Sequence, residues 1–168
     1  MMPVRGLADS VTIGERVERP GLTRLLRGRG RYVGDIVLPR MLHLVFLRSP
    51  HAHARILKID SRAAQGAAGI RAVIAGADLK DHCLPLLGAA ANRVGHKAPP
   101  QYPMAVDRVH WQGQPVVAIV AETRAMAEDA LDLVEVEWDV LEPVVDPSVA
   151  LEEGQASIHP ELNGNLAY

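Results

Sequence analysis

Between residues 116 and 140 the chain passes from a wholly apolar run, Val116-Val-Ala-Ile-Val-Ala121, through a helical stripe to a strict two-residue alternation. Few folds accept that order. The apolar run, rich in β-branched side chains, predicts a strand buried on both faces. Thr123 is a good N-cap, and Ala127, Ala130, Leu131 and Val134 fall at i, i+3, i+4 and i+7, which predicts a helix at about 123–133. In Val134-Glu-Val-Glu-Trp-Asp-Val140 the valines and Trp138 share one strand face and Glu135, Glu137 and Asp139 the other. Trp138 is therefore expected buried and the three acids exposed, because a slip of one residue would bury three carboxylates.

The same order appears earlier in weaker form. Leu42-His-Leu-Val-Phe-Leu47 has apolar residues on both faces and predicts a strand at an interior position in a sheet; Ser49-Pro50-His-Ala-His53 is the turn after it. Arg55–Ile59 predicts a second strand, Arg62–Ala68 a short helix capped by Asp60 or Ser61 and ended by Gly69, and Ile70–Ala75 a third strand. Two strand–helix–strand units of this kind, 55–75 and 116–140, give an α+β domain with a mixed sheet, in which the first unit could make a right-handed parallel crossover. Asp78–Asp81 reads as one capped turn, Arg24–Tyr32 as a helical turn broken by Gly28 and Gly30, and Pro147–Glu152 as a last short helix. From Leu84 to Pro103 the pattern dissolves into Ala, Gly and Pro, so this loop is expected to be the most mobile internal segment. The organisation expected is an extended arm over 1–23, a folded domain over 24–152 and a tail over 153–168.

Composition bounds the function. The 168 residues are 48% hydrophobic and 23% charged, enough for one ordinary globular domain. A net charge of −2 does not suggest a nucleic-acid partner. No stretch is long and apolar enough for a membrane span or a secretory h-region, so the expectation is a cytoplasmic protein without a membrane partner. The near-neutral total hides an asymmetry: residues 1–60 carry 11 basic and 5 acidic side chains, residues 122–168 carry 1 basic and 12 acidic. Either an acidic face and a basic arm are solvated on one domain, or they are two docking surfaces for other polypeptides.

Candidate chemistry is sparse. Gly28-Arg-Gly-Arg-Tyr-Val-Gly34 has Val33 where a dinucleotide loop needs its third glycine, and no strand precedes it. Four arginines within Arg24–Arg31 suit an anionic partner or simply a solvated turn. His51 and His53 flank one alanine at a spacing that could chelate a metal on extended backbone, but no third ligand is identifiable among the other histidines at 43, 82, 96, 110 and 159. Asp81-His82-Cys83 puts a thiol beside an imidazole in sequence, which does not by itself make a nucleophile. Glu135, Glu137 and Asp139 would suit a hard cation or a basic partner, as would any half-exposed strand face. Cys83 is the sole cysteine, so neither an internal disulfide nor a four-thiolate cluster is available. The expected catalytic, cofactor-binding and metal-binding sets are accordingly empty.

Several runs, in register, resemble one family. Gly30-Arg-Tyr-Val-Gly-Asp35-Ile-Val-Leu-Pro39, then Leu42–Leu47 followed by Arg48-Ser-Pro-His-Ala-His-Ala-Arg-Ile56, resemble the opening of molybdenum-hydroxylase large subunits: xanthine dehydrogenase, aldehyde oxidase and aerobic carbon monoxide dehydrogenase. Gln112-Gly-Gln-Pro-Val-Val-Ala-Ile-Val-Ala121 with Thr123–Ala130, Val134–Asp139 with Glu142–Pro147, and His159-Pro-Glu-Leu-Asn-Gly-Asn-Leu166 continue the pattern over about residues 17–168. Gly34 departs from it, since an acidic residue often precedes Asp35 in the family.

The resemblance implies an α/β hammerhead, the N-terminal module of a large subunit several times longer. In the family, the glycine-rich loops that hold molybdopterin and the glutamate that acts as base lie beyond this module, and no position here matches them. Molybdopterin cytosine dinucleotide, the [2Fe-2S] clusters and FAD are thus expected on the rest of the complex and none on this chain. The implied partner is a polypeptide carrying the molybdopterin-binding domains, with flavin and iron–sulfur subunits possible beside it. Two functions are weighed: a hammerhead module or split subunit of an enzyme oxidising an aldehyde, an N-heterocycle or carbon monoxide, inactive alone; and a stand-alone non-catalytic binding or adaptor module. A third possibility is an incomplete product with no function.

Overall fold

The computed structural model describes Gly14 and residues 19–86, 88 and 94–166, and the chain divides into two units, Met1–Pro39 and Arg40–Tyr168. In the first unit, most of the arm expected over 1–23 lies outside the described residues. The helix α1 spans Leu22–Leu26, entered through Gly21 at φ 81°, and Gly28 at φ 66° follows its end, a left-handed conformation natural to glycine. The turn expected over Arg24–Tyr32 thus starts earlier and stops sooner. A single 3₁₀ turn, Val33–Asp35, follows, where the Tyr32 amide donates to the Asp35 carboxylate at 2.9 Å.

The second unit follows the predicted order closely. It contains β1 His43–Arg48, β2 Ala54–Asp60, α2 Arg62–Gln65, β3 Ile70–Ala75, α3 Gly76–Leu79, β4 Arg108–Val109, β5 Pro115–Ala121, α4 Arg124–Asp129 with a 3₁₀ extension Ala130–Leu133, and β6 Glu135–Val140. Local chemistry explains the boundaries. The Thr123 hydroxyl accepts from the Met126 amide at 3.2 Å and starts α4, while the Asp78 carboxylate accepts from the Ala75 amide at 2.8 Å at the start of α3. The helix α2 is shorter than expected, since Gly66 already caps it. Pro147–Glu152, expected as a short helix, forms turns. In the stretch 84–103, residues 87 and 89–93 lie outside the described residues; Leu86 and Gln101 form a bridge.

The strands form two three-stranded sheets, ordered β1-β5-β3 and β4-β2-β6. Every strand pair is antiparallel. The α+β class and the two strand–helix–strand units stand, but the mixed sheet and parallel crossover do not. Each helical unit instead carries the chain from one sheet to the other: β2–α2–β3 in one direction, β5–α4–β6 in the reverse direction. The first linker is too short to bring β3 back parallel beside β2. In the second, β6 carries charges on one face and fits a sheet with a solvated side, whereas β5 is apolar throughout and takes the centre.

The core lies between these layers. Val116, Val117, Ile119 and Ala121 of β5 are buried with Ala127 and Ala130 of α4, whose small side chains let the helix lie close to the sheet. Trp138 and Val136 pack against this core, Trp138 half-buried, and Glu135 and Glu137 are exposed. Asp139 is half-exposed and pairs with Arg55 at 3.0 Å, while Val140, expected on the covered face, is 61% exposed, so the alternation holds from Glu135 to Trp138 and is lost at the end of the strand. The backbone of Gly76 is buried against the carbonyl of Ala105, whose amide in turn donates to the Pro115 carbonyl at 2.8 Å. A further expectation fails: β1 is an edge strand and not an interior one. Apolar residues on both faces of a strand report what covers its faces and say nothing of what pairs with its edges.

Candidate functional site

Two features stand out once the strands are in register. The first is the outer face of the β1-β5-β3 sheet. Leu44 pairs with Val120 and Phe46 with Ala118, and the same β5 residues pair on their other side with Ala72 and Ile74 of β3. Directly opposed residues share a face, so these six side chains lie on one apolar face, with Ala118 buried at its centre and Ala72, Ile74 and Val120 half-buried. Leu44 is 50% and Phe46 36% exposed. At the end of this strip the Arg48 guanidinium lies 5.7 Å from the Phe46 ring centre and donates to the Gly113 carbonyl at 2.9 Å.

The second is a column of three imidazoles. The turn after β1 is fixed by Ser49, whose hydroxyl donates to the His51 carbonyl at 2.8 Å and whose amide donates to the Gln114 carbonyl at 2.9 Å. That turn buries His53 to 3% exposure. His53 Nδ1 lies 2.8 Å from the Glu142 carbonyl and Nε2 lies 3.4 Å from the Arg108 guanidinium. A carbonyl only accepts and a guanidinium only donates, so these two partners suit the tautomer that carries its proton on Nδ1. The His110 ring stacks 6.4 Å from His53, and the His159 ring stacks 4.3 Å from His110, 17° from parallel. The buried Gln114 side chain accepts from the His110 amide at 2.8 Å.

A cleft of about 390 Å³ opens beside the column, lined among others by Lys80, Tyr102, Arg108, Trp111 and Glu161. Burial, and after it the neighbouring His159, pushes His110 down from 6.5 to about 4, with His53 and Arg108 adding to the effect and Glu161 opposing it. His159 Nδ1 sits 3.4 Å from Glu161 Oε1 without a hydrogen bond. Among the described residues no hydroxyl or thiol nucleophile is bonded to the column.

The residues singled out in the sequence are mostly dispersed. The His51 ring meets Trp138 at 5.4 Å in an edge-to-face arrangement while His53 joins the column, so the two rings lie in different surroundings. Among the described residues no group of three His, Cys, Asp or Glu is placed to hold a metal. The His82 and Cys83 amides both donate to the Leu79 carbonyl, ending α3. The acids of β6 face β2, Asp139 opposite Arg55 and Glu137 opposite Lys58. Asp60, opposite Glu135, is bonded to Arg62, which holds its carboxyl down at about 2. This is a solvated, cross-paired surface and not a bare acidic stripe. His110 and His159 are 49 positions apart in sequence, and no local pattern announces that they meet.

The geometry has counterparts among known proteins. The family model for the aldehyde oxidase and xanthine dehydrogenase a/b hammerhead domain matches residues 27–142. The nicotine 6-hydroxylase large subunit of Paenarthrobacter nicotinovorans is 44% identical over 90% of this chain and 18% of its own length. The carbon monoxide dehydrogenase large chain of Hydrogenophaga pseudoflava is 38% identical over 86% of this chain and 17% of its own. The crystal structure of quinoline 2-oxidoreductase from Pseudomonas putida superposes with a TM-score of 0.83 at 40% identity, over 90% of this chain and 19% of that one. The chain thus spans less than a fifth of the length of these relatives. No helix among the described residues is long and apolar enough to cross a membrane.

Proposed function

Since the chain belongs to the aldehyde oxidase and xanthine dehydrogenase a/b hammerhead family, we propose that it is the hammerhead module of a molybdenum hydroxylase large subunit, supplying structure and subunit contacts and not reacting groups. Within it we assign residues 1–23 to an arm, 24–152 to the hammerhead and 153–168 to a connecting tail. The observation that carries this reading is the apolar outer face built on Leu44, Phe46, Val120 and Ile74. A contiguous apolar sheet face on a small domain is a contact surface. Its occupant is a polypeptide carrying the molybdopterin-binding domains, the part of the relatives this chain does not match. Flavin and iron–sulfur subunits complete the assembly, which works in the cytoplasm on an aldehyde, an N-heterocycle or carbon monoxide.

The residues present do not fit the family's redox groups. Cys83 alone cannot supply the four thiolates of a [2Fe-2S] cluster. The cleft beside the histidine column has no glycine in its lining, so it lacks the backbone cradle by which a dinucleotide phosphate is held. No chemical step is assigned to this chain's side chains.

The test is to purify the chain from cells that make molybdopterin cytosine dinucleotide, with and without a co-expressed polypeptide carrying the molybdopterin-binding domains. The chain alone is expected to hold no molybdenum and to reduce no dye with aldehydes or purines. With its partner it should form a stoichiometric complex, which Leu44→Glu and Phe46→Glu weaken at least tenfold. Molybdenum or turnover in the isolated chain, or no complex with the partner, overturns the proposal.

A further inference from the structure

We propose that the stacked rings of His53, His110 and His159 form a pH-sensitive latch, holding the loop of residues 156–166 against the sheets while the rings are neutral and releasing it when the column takes up protons. The three rings come from three separate segments: the β1–β2 connection, the end of β4, and the loop itself. The loop keeps its shape by internal bonds. Asn165 accepts from the Ile158 amide at 3.0 Å and donates to the Ala150 and Ala156 carbonyls at 2.9 Å each. The Leu162 and Asn163 amides donate to the His159 and Pro160 carbonyls. These bonds all close within residues 150–166 and none reaches the sheets, so once the ring contact opens they are left exposed to water and the loop amides lose protection. The described contact that joins the loop to the sheets through a titratable pair is His159 on His110.

Stacked imidazoles at 4.3 Å are compatible while at most one is charged. Two cations at that separation repel across a half-buried contact that water screens poorly. The surroundings favour release over accommodation. From the body side, the Arg108 guanidinium and the Lys80 ammonium line the same cleft, with Asp107 and Tyr102 among its other ionisable groups. His53 cannot relieve the charge, because its Nδ1 proton is committed to the Glu142 carbonyl and its Nε2 faces Arg108. Glu161, on the loop, is the acid a charged His159 faces, at 3.4 Å, and it would leave with the loop. The depression of His110 toward about 4 by burial and by His159 agrees with a column that is neutral when closed.

Amide hydrogen exchange on the full chain, corrected for intrinsic rates, tests this between pH 7.5 and 4.5. Residues 156–166 are expected to exchange at least tenfold faster at the lower pH while Val117–Val120 of β5 stay unchanged. His110→Phe and His159→Phe keep a flat ring without a titratable nitrogen, and each should abolish the pH response. A loop that ignores pH, a response retained in both variants, or acceleration shared equally by β5 overturns the latch. If neither variant folds, ring titration by NMR in the unaltered chain decides. Coupled titration of His110 and His159 that tracks the loop amides supports the latch, and independent titration overturns it.

Discussion

Gly76 packs its backbone directly onto the carbonyl of Ala105, so that a β-carbon at position 76 would overlap both the oxygen and the carbon of that group. The contact joins the start of α3 to the segment just before β4, which the Ala105 amide ties in turn to the Pro115 carbonyl at the start of β5. Gly76→Ala must therefore push backbone against backbone, which cannot give as a flexible side chain can. We expect a loss of about 2–4 kcal/mol, measured by urea denaturation. Gly34→Ala, where nothing lies within reach of a new methyl, should stay within about 0.5 kcal/mol.

Stability should rise with pH between about 4 and 6.5. His110 is held near 4 in the folded chain against 6.5 for a free ring, so the unfolded chain binds that proton first and acid favours unfolding through this window. For a ring only half withdrawn from water the expected swing is about 1–2 kcal/mol, read as the midpoint of urea denaturation from pH 4 to pH 7. His110→Phe should flatten it. A separate acid limb lies lower: Asp60, held at about 2 by Arg62, contributes stability present above pH 3.8 and lost as pH falls through 2.

Asn165 uses its side chain three times, accepting from Ile158 and donating to Ala150 and Ala156. Asn165→Ala leaves three partly buried backbone groups without partners and should destabilise the loop by about 2–3 kcal/mol. Asn165→Asp should cost no less, because a carboxylate would then face two carbonyl oxygens. Exchange of amides 150–166 should accelerate in both variants while β5 is unaffected.

The N-cap of α4 is testable with one hydroxyl. Thr123→Ala removes the acceptor for the Met126 amide and should cost about 1 kcal/mol, while Thr123→Ser should recover most of it. Thermal denaturation of the three proteins side by side provides the comparison.

Where the local signal is strong the chain forms what it announces, and where it is weak, as in Pro147–Glu152, it makes turns instead. The stretch from Val116 to Val140 shows strand, capped helix and alternating strand almost where the periodicity puts them, because each signal lies within one turn or one pleat of itself. The pairing of those strands was not legible. His43 meets Ala121 and Ala54 meets Val140, across separations over which no periodicity runs. For the same reason Leu44 and Phe46 suggested an interior strand when they line an outer face of an edge strand. Seven scattered histidines gave no hint that three of them would stack. The family resemblance did come through, because it rests on the order of several short runs and needs no knowledge of which strands touch.

The exchange of strands between the two sheets sets the order in which the chain can become a protein. Neither β1 nor β3 touches the other; both wait for β5, which is made some seventy residues after β1. The second sheet likewise lacks its long partner for β2 until β6 emerges. Among the described residues, a nascent chain halted at residue 110 would hold four of the six strands, with the two-residue pairing of β2 with β4 and the isolated Leu86–Gln101 bridge as its β pairings. Folding must then be a late, nearly simultaneous event, slow for a chain of this size because both ladders close long loops. Until then the apolar strands stand open, which makes the interval before β5 is synthesised the stage at which this polypeptide most needs a chaperone.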